Sequence, residues 1–524
     1  MIRQRVFHPL LFAAYPVLAL LAYNIDWLRP AQALRALLLS LLVAAAALAL
    51  LAWLLHNWHR AGLLVSLFLG LFFAYGHIYD SMKLGLGADI GRHRYLAPLL
   101  LGAAVLLAWW ILRRLRRPEA ATAPLNLMAA VALAFPLFTI ARWEVAALSN
   151  PSAPATASRL HLPAGQRPPD VYFLLVDAYA RHDTLQRVFD VDNTPFLSFL
   201  QDHGFYVVTD SRSNYAQTGL SLSSTLNMDY VDALVPGLTE NSRGRESLWK
   251  LIQHSQVRRQ LESLGYVTVA FSSGLAGTEL TDADYYLTAG SVDENLGLVG
   301  VSPFETLLIQ TTLLRLVSDG VVALPRLLPD VNYPYQVHRE RIRSIFDGLK
   351  HLPAIDKPKF VFAHIISPHP PFVFAADGSP VTPDVPFSLR FTDANKETSS
   401  ETYIHGYGQQ VEFVNAQLEE VVQAILAHSE VPPVIVIEGD HGPDSNSGRL
   451  SYVQERMTNL NAILLPTGPD GLYPDLTPVN TFRVIFDKVF GADYPLLEDR
   501  VYFSQYDTPY EFLDETNAVD PPPG

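Results

Sequence analysis

Five hydrophobic stretches follow one another in the first 148 residues, and they determine where this chain can fold. The stretches cover residues 9–23, 31–55, 61–79, 95–112 and 124–148. A helix needs about 20 consecutive apolar residues to cross the hydrocarbon core of a bilayer, so the last four stretches fit and the first is short. The sequence therefore predicts an α-helical transmembrane bundle of about five helices over residues 1–150.

Basic residues predict how this bundle is oriented. Arg113, Arg114, Arg116 and Arg117 follow the fourth stretch, and loops rich in arginine remain on the cytoplasmic side. Counting the stretches backwards places the N-terminus in the cytoplasm, and counting forwards places the chain beyond residue 148 outside. We therefore expect a multi-pass protein of the plasma (inner) membrane with an extracytoplasmic C-terminal domain.

The distribution of charge changes at the same boundary. Residues 1–148 carry a net charge of +8 and the remaining residues carry −22, which together give −14. An acidic exported domain is a poor binder of nucleic acid, so no nucleic-acid partner is expected. The chain has no cysteine, which excludes both disulfides and a cysteine nucleophile.

Composition and periodicity change after the hydrophobic region. Residues 151–169 read PSAPATASRLHLPAGQRPP, a composition typical of a linker. Over residues 170–510, short β-branched runs alternate with helical segments such as residues 248–264 and 408–428. This alternation predicts an α/β domain with a mostly parallel central sheet and helices on both faces. Residues 511–524 end in Pro-Pro-Pro-Gly and are expected to form a C-terminal tail.

Polar residues follow two of the predicted strands. Asp177 comes directly after the first strand, and Asp440 and His441 follow the run VIVIE. Ligands of α/β folds collect at the carboxyl ends of strands, and a carboxylate with an imidazole can bind a metal ion there. Gly439 and Gly442 flank the Asp-His pair and are expected to let the backbone turn sharply. A hydrogen-bonded turn is the structural alternative for this pair.

Two further segments carry groups that could take part in chemistry. Thr218 lies in the hydroxyl-rich segment SNYAQTGLSLSS, whose continuation from residue 222 is predicted to be helical. A hydroxyl at a helix N-terminus can reach a metal and a phosphate held by backbone N–H groups, although most such residues are N-caps. His364 and His369 come at the end of another strand, beside a proline-rich turn. Two histidines at this place predict contact with substrate or metal.

The order of these segments resembles the sulfatase-like branch of the alkaline phosphatase superfamily. The segments that carry the resemblance are DVYFLLVDAYAR, NTPFLSFL, SNYAQTGLSLSSTLN, FAHIISPHPPF, YGQQVEFVNAQL and VIVIEGDHG. They are similar, in the same order, to the family's first metal-ligand strand, its "TPNLD" helix, its nucleophile segment and its "HxxxPHxPY", "Y…V…D" and "SDHG" motifs. With the transmembrane helices before it, the chain resembles lipoteichoic acid synthases and phosphoethanolamine transferases.

The resemblance implies a role for each matching residue. Thr218 would be the nucleophile that forms a covalent phosphoryl-threonine, with Ser221 as the alternative. Asp177, Thr218, Asp440 and His441 would hold one divalent ion, either Zn, Mn or Mg. The resemblance also implies that His369 and His364 contact the substrate phosphate or a second metal.

Several positions depart from the family pattern. Sulfatases convert a Cys or Ser within a C/S-x-P-x-R motif to formylglycine, whereas the segment after Thr218 has neither the Pro nor the Arg. This departure argues against sulfate ester hydrolysis. Asp177 stands where the lipid-headgroup transferases have Glu, Pro443 replaces an acidic residue, and Asn415 replaces the Asp of the "Y…V…D" helix. The resemblance therefore does not fix the number of metal ions.

These features together predict a membrane-bound, metal-dependent phosphoryl-group transferase or hydrolase. We expect a phospholipid as donor of its headgroup and an envelope glycan or lipid as acceptor. The alternatives are a phosphodiesterase that uses water, a sulfuric ester hydrolase, and a catalytically inactive sulfatase-like sensor.

Overall fold

The computed structural model describes most of the chain. The described residues are 5–25, 30–86, 93–149, 160–161, 167–289, 302–318, 333–383, 387–389 and 399–519. They form two compact units, of which the membrane unit is Met1–Val145 with Val292–Pro334 and the α/β unit is Ala146–Ser291 with Tyr335–Gly524. The predicted linker, residues 151–169, falls mostly outside the described residues.

The membrane unit contains five apolar helices in sequence order. They are α1 (His8–Tyr23), α2 (Ala31–Leu55), α3 (Trp58–Leu86), α4 (His93–Arg113) and α5 (Glu119–Ser149). By length and composition, α2 to α5 are able to cross a membrane, whereas α1 has 16 residues. Large apolar side chains such as Leu42, Leu101 and Phe135 are exposed, as expected of surfaces that a bilayer covers. The predicted helical bundle is therefore confirmed, with α1 shorter than a full span.

The described part of the α/β unit has one seven-stranded sheet. Its strands are β1 (Val171–Val176), β2 (Tyr206–Val207), β3 (Val267–Phe271), β4 (Tyr285–Leu287), β5 (Lys359–Ile365), β6 (Val434–Glu438) and β7 (Asn461–Leu464). The spatial order is β2-β7-β6-β1-β5-β3-β4. Strand β7 runs antiparallel to both of its neighbours, and the pairs among β6, β1, β5, β3 and β4 are parallel. The predicted mostly parallel sheet is confirmed.

Helices cover both faces of this sheet. They are α6 (His182–Phe189), α7 (Thr194–Asp202), α8 (Thr218–Asn227), α9 (Val231–Leu234), α10 (Glu246–Gln253), α11 (Gln256–Ser263), α14 (Tyr333–His351), α15 (Ser400–His428), α16 (Tyr452–Met457) and α17 (Pro478–Phe490). Side chains of β1 alternate between two apolar cores, with Leu174 in one and Phe173 in the other. A strand that is buried on both faces in this way has a continuous apolar sequence rather than an alternating one.

Two helix boundaries differ from the predicted ones. The predicted helix 248–264 is two helices, because the side chain of Ser255 accepts a hydrogen bond from the Arg258 N–H and starts α11. Helix α15 begins at Ser400 rather than at residue 408, and Ser399 caps it by accepting from the Thr402 N–H. In both cases a serine cap, rather than apolar periodicity, sets the boundary.

The chain is ordered into the α/β unit up to residue 519, the last residue that the structure describes. Strand β8 (Tyr502–Phe503) pairs with β9 (Leu513–Asp514), so part of the segment expected as a tail forms a strand. Val519 is buried.

One segment of the membrane unit lies between β4 and α14 in the sequence. It contains α12 (Pro303–Thr311) and α13 (Arg315–Ser318). Helix α12 packs against α2 and α3, so a piece of chain inserted in the α/β fold belongs to the membrane unit.

Candidate metal centre and nucleophile

The two candidate aspartates meet because their strands are neighbours. Strands β1 and β6 are parallel, with Leu175 opposite Glu438, so Asp177 and Asp440 each lie two residues beyond the paired positions. One potential ligand atom from each of Asp177, Asp440 and His441 lies within 4.8 Å of the other two. All three side chains are buried. The sheet register therefore creates a compact group of two carboxylates and one imidazole.

A strained turn after β1 holds the two aspartates together. Ala178 has a φ of +60°, which is uncommon for a residue with a side chain. Its N–H donates to Asp440 Oδ1 at 3.0 Å, and its carbonyl accepts from the Tyr407 hydroxyl at 2.7 Å. Tyr407 is the tyrosine of the YGQQVEFVNAQL segment, and it supports the turn from α15.

The two glycines beside the Asp-His pair are required for a different reason from the one predicted. Neither has a positive φ. A Cβ atom on Gly439 would lie 2.5 Å from the Tyr179 carbonyl oxygen, and one on Gly442 would lie 2.0 Å from the Glu455 carbonyl oxygen. Close approach of neighbouring backbone, rather than a sharp turn, excludes a side chain at both positions.

Thr218 is the first residue of α8, so this helix begins earlier than predicted. Its Oγ1 lies 3.3 Å from His441 Nε2. The Leu220 N–H donates to the Gln217 carbonyl at 3.0 Å. The Ser221 hydroxyl donates to the Asp440 carbonyl at 2.8 Å. The Thr218 hydroxyl is therefore the one that lies beside a candidate ligand side chain, whereas the Ser221 hydroxyl binds the backbone of Asp440.

The donor set fits a divalent cation. Within the described part of the chain, Asp177 Oδ1 is buried and has no hydrogen-bond partner. His441 Nδ1 lies 3.0 Å from the Gly442 carbonyl, which fixes the tautomer that leaves Nε2 as an acceptor. Arg456 Nη2 donates to this Nε2 at 3.0 Å, so a cation at His441 would have to replace that hydrogen bond.

Electrostatics also favour a cation between the two carboxylates. Burial, followed by the charge of Asp177, raises the pKa of Asp440 to about 7. Burial raises the pKa of Asp177 as well. Burial, followed by the nearby Arg456, keeps the pKa of His441 well below its ordinary range. A cation would relieve the repulsion between the carboxylates and would meet a neutral imidazole.

We expect metal affinity to fall with decreasing pH because a cation must displace a proton from the aspartates. The pKa of Asp440 is raised to about 7 from 3.8, so at lower pH this carboxyl is protonated in the metal-free protein. The apparent affinity for Mn²⁺ should drop at least about tenfold per pH unit below pH 7 and level off above it. Equilibrium dialysis of the full chain in detergent, from pH 5.5 to pH 8.5, measures this dependence. An affinity that is constant over that range would contradict proton displacement.

His364 lies behind Asp177 on β5. Its Nε2 is 3.1 Å from Asp177 Oδ2, and its Nδ1 is 2.8 Å from the Thr278 hydroxyl. The side chain is fully buried, and burial lowers its pKa to about 4. The structure therefore places a neutral His364 where it orients Asp177, and both of its ring nitrogens face protein groups. Its predicted contact with substrate remains a prediction.

His369 lies in the loop that follows β5. Its N–H donates to the Asp177 carbonyl at 3.1 Å, and its Nδ1 is 2.5 Å from the Pro370 carbonyl. Burial lowers its pKa, and the charges that act on its ring include those of Asp177 and Arg456. His369 is therefore brought to the same edge of the sheet as the candidate ligands.

Arg456 was missed by sequence reasoning. It lies near the end of α16, where its Nε donates to the Ala216 carbonyl at 2.9 Å and its Nη1 to the Gly442 carbonyl at 2.7 Å. The guanidinium links the nucleophile segment to the Asp-His turn and brings a buried positive charge to the site. A single arginine in a short helix carries no motif, so only the capping box of Ser451 and Gln454 hinted at an ordered element there.

Asn415, where the family has Asp, is placed away from the candidate ligands. Its Oδ1 accepts from the Tyr179 hydroxyl at 2.5 Å, and its Nδ2 donates to Asn193 Oδ1 at 2.8 Å. These contacts tie α15 to the segments after β1. Asn415 thus has a structural role in this arrangement.

Comparison with known proteins gives a family match over most of the α/β unit. The sulfatase family model matches residues 169–466. None of the curated proteins compared with the chain matches it significantly.

Several solved structures resemble the chain at low identity. The C-terminal periplasmic domain of EcEptC from Escherichia coli, in complex with Zn, is 10% identical, covers 68% of this chain and 95% of its own, and gives a TM-score of 0.43. The soluble domain of lipooligosaccharide phosphoethanolamine transferase A from Neisseria meningitidis is 10% identical, with coverage of 63% and 91% and a TM-score of 0.37. The putative sulfatase yidJ from Bacteroides fragilis is 14% identical, with coverage of 66% and 84% and a TM-score of 0.35.

Proposed function

The chain belongs to the sulfatase family, and from that premise we propose that it is a membrane-bound, metal-dependent enzyme that transfers or hydrolyses a phosphoryl-linked group. Its donor is a membrane phospholipid, and its acceptor is an envelope glycan or lipid. One observation carries this proposal. The Thr218 hydroxyl, at the first residue of a buried helix, lies 3.3 Å from His441 Nε2 within the Asp177, Asp440 and His441 group.

Thr218 is the nucleophile of the proposed reaction. Its Oγ1 attacks the phosphorus atom of the donor, a bond forms between them, and the bond from phosphorus to the departing alcohol breaks. Thr218 loses one proton and the departing alcohol gains one. In the second half, an acceptor alcohol or water attacks the phosphoryl-threonine, and the acceptor's proton returns to Oγ1 as the bond to phosphorus breaks. Atoms and charge balance over the two halves.

Asp177, Thr218, Asp440 and His441 would hold the divalent ion, either Zn, Mn or Mg. When bound, such an ion lowers the pKa of a hydroxyl and stabilises negative charge on phosphoryl oxygens. His364 keeps the Asp177 carboxylate in its orientation through the 3.1 Å contact with Oδ2.

We assign two buried nitrogen-bearing side chains, Arg456 and His369, to substrate binding. The Arg456 guanidinium lies beside His441, and charge-assisted hydrogen bonds from arginine suit phosphoryl oxygens. His369 approaches Asp177 through its backbone N–H and contributes a second nitrogen group to the same edge of the sheet. Binding to these groups would orient the phosphorus atom toward Thr218.

The absence of a sulfatase-type nucleophile supports phosphoryl over sulfuryl chemistry. The chain has no cysteine, and Thr218 is followed by Gly219-Leu220-Ser221-Leu222, which lacks the Pro and Arg of the formylglycine motif. A threonine hydroxyl is suited to forming a phosphate ester.

Contacts within the membrane unit support the proposed orientation. The segment containing α12 and α13 departs from the α/β fold after β4 and returns to it at α14. In the membrane unit this segment pairs with Arg35, in the first two turns of α2, and with Asp80, in the last two turns of α3. Because one short segment contacts both, these two helix ends lie on the same side of the membrane unit. The proposal puts this side outside, and it puts the N-terminus and the cluster Arg113–Arg117 in the cytoplasm on the basis of the positive-inside rule.

The proposal is tested with the full chain in phospholipid nanodiscs that contain Mn²⁺ or Zn²⁺ and a headgroup-labelled phospholipid. We expect the label to leave the lipid and to appear on an added glycan or lipid acceptor. Release of the label only to water would favour the phosphodiesterase alternative. A chain that binds the metal but releases no label from any phospholipid class would contradict the proposed function.

A further inference from the structure

Residues 302–318, here named the docking segment, bind helices α2 and α3 of the membrane unit. The segment opens with a capping box in which the Ser302 hydroxyl accepts from the Glu305 N–H and the Glu305 carboxylate accepts from the Ser302 N–H. The same carboxylate accepts two hydrogen bonds from Arg35 of α2, one of them from Nε at 2.6 Å. A bidentate arginine–carboxylate pair fixes orientation as well as distance.

A second ion pair secures the other end of the docking segment. Arg315 Nη1 lies 2.6 Å from Asp80 Oδ1 near the end of α3. The Arg315 guanidinium also covers the ring of Tyr79, with its carbon 4.5 Å from the ring centroid. Only 7% of the Arg315 side chain is exposed. Two ion pairs, one on α2 and one on α3, therefore hold the segment at two points.

Apolar and backbone contacts lie between these ion pairs. Phe304 is fully buried in the apolar core of the membrane unit. The Leu313 N–H donates to the Phe72 carbonyl of α3 at 2.8 Å. A Cβ atom on Gly76 would lie 2.0 Å from the Gln310 carbonyl oxygen and 2.6 Å from the Thr311 Cα. The segment thus approaches α3 so closely that only glycine fits at position 76.

These ion pairs are partly buried, since Arg315 is 7% exposed but its partner Asp80 is 46% exposed. Such pairs add little net stability, because desolvation and solvent screening offset much of their attraction. Their better-attested effect is to favour one arrangement of the two paired segments over the alternatives. The docking segment lies between β4 and α14 in the sequence, so the chain leaves the α/β unit and returns to it there. Because the segment binds α2 and α3, the chain connects the two units through this segment as well as through the connection after α5. An added attachment raises the effective concentration of one unit near the other without any new contact to substrate.

We propose that the docking segment makes the enzyme selective for phosphodiesters embedded in the same membrane over phosphodiesters free in solution. This inference rests on the proposed function, since it assigns a substrate source to the same active site. It predicts that releasing the segment impairs the reaction with membrane lipid and leaves the reaction with a small soluble phosphodiester unchanged.

The test uses Gly76→Leu, with Gly70→Leu as its matched control. Both glycines lie in α3, but a Cβ atom on Gly70 meets nothing within 4 Å, so both variants gain similar helix propensity and only the first displaces the segment. Phospholipid turnover in proteoliposomes should fall at least about tenfold in Gly76→Leu relative to Gly70→Leu. Hydrolysis of a soluble chromogenic phosphodiester should be the same in both.

Charge reversal provides a second, independent variant set. Arg35→Glu and Glu305→Arg should each lower lipid turnover, and the double variant should recover part of it, because the ion pair is restored with opposite polarity while the acceptor for the Ser302 N–H stays lost. If lipid and soluble turnover fall together, or if lipid turnover is insensitive to every variant, the selectivity proposal is overturned.

A structural readout separates this proposal from the proposed function. The chain has no cysteine, so Phe72→Cys with Leu313→Cys introduces the only possible disulfide. We expect this disulfide to form under oxidising conditions and to be lost when Gly76→Leu is added. If the parent chain turns over neither substrate, the proposed function fails, while a disulfide that Gly76→Leu abolishes still establishes docking. Failure of the disulfide to form in the parent background would overturn docking itself.

Discussion

Replacing Thr218 by alanine should lower phosphodiester turnover by on the order of a thousandfold or more, because it removes the atom that attacks phosphorus. The fold should be retained, since the Thr218 hydroxyl contacts His441 at 3.3 Å and the helix N-terminus does not depend on it for a side-chain cap. Steady-state rates of the full chain in detergent, with saturating Mn²⁺, measure the effect. Thr218→Ser should retain part of the activity, because it keeps a hydroxyl at the same place.

Variants of two other hydroxyl residues in α8 show whether the loss of activity is specific to Thr218. Thr225→Val is the matched control, because the Thr225 hydroxyl donates only to the Ser221 carbonyl of its own helix, and its loss should change the rate little. Ser221→Ala tests the alternative nucleophile. A large loss in Ser221→Ala together with a small one in Thr218→Ala would transfer the nucleophile assignment to Ser221.

Replacing Asp440 by asparagine should remove both metal binding and activity while leaving the metal-free protein at least as stable. The metal loses an anionic ligand, and the expected loss of affinity is on the order of a hundredfold or more. Without metal, the raised pKa of Asp440, about 7, means that this carboxylate costs folding free energy as pH rises from its ordinary pKa of 3.8 through 7. Asparagine removes that cost, so at pH 8 the metal-free variant should unfold at an equal or higher temperature than the parent.

The combination of a lost function and retained stability distinguishes a metal ligand from a structural residue. Equilibrium dialysis with Mn²⁺ and thermal unfolding in the presence of a chelator measure the two parts. Asp507→Asn, at an exposed position, is the control and should alter neither. If Asp440→Asn kept its metal affinity, or if it destabilised the metal-free protein at pH 8, Asp440 would be a structural residue rather than a ligand.

The fold could be predicted from the sequence where local patterns determine it. Apolar stretches of about 20 residues indicated the membrane helices, and β-branched runs that alternate with amphipathic segments indicated the parallel sheet. Boundaries were less predictable, because serine caps at Ser255 and Ser399 end or begin helices inside otherwise suitable patterns. The antiparallel strand β7 gave no signal that separates it from its parallel neighbours.

The candidate site was predictable in its ligands and less so in its surroundings. Asp177, Asp440 and His441 follow strands, so strand adjacency alone brings them together. Arg456 reaches the site from a short helix with no motif. The contact of His364 with Asp177 arises because β1 and β5 pair with Leu175 opposite His364. Such lateral contacts depend on sheet order, which the sequence does not state.

The capping-box residues Ser302 and Glu305 signal the start of a helix, but no sequence pattern predicts that the docking segment binds α2 and α3. Its ion pairs join residues 270 and 235 positions apart, and neither Glu305 nor Arg315 belongs to a periodic pattern that would identify a partner. Gly76 and Gly70 look alike in the sequence, and only the packing of the docking segment against α3 separates them.

The most direct test of the proposed mechanism is the detection of the covalent intermediate. The full chain is mixed with a phosphodiester substrate and Mn²⁺, the reaction is stopped in acid during turnover, and the peptide spanning residues 213–243 is analysed by fragmentation mass spectrometry. We predict that Thr218 carries the added mass of the transferred phosphoryl-linked group, and that the Thr218→Ala protein shows no adduct. Turnover without any modified Thr218, or an adduct on Ser221, would contradict the mechanism.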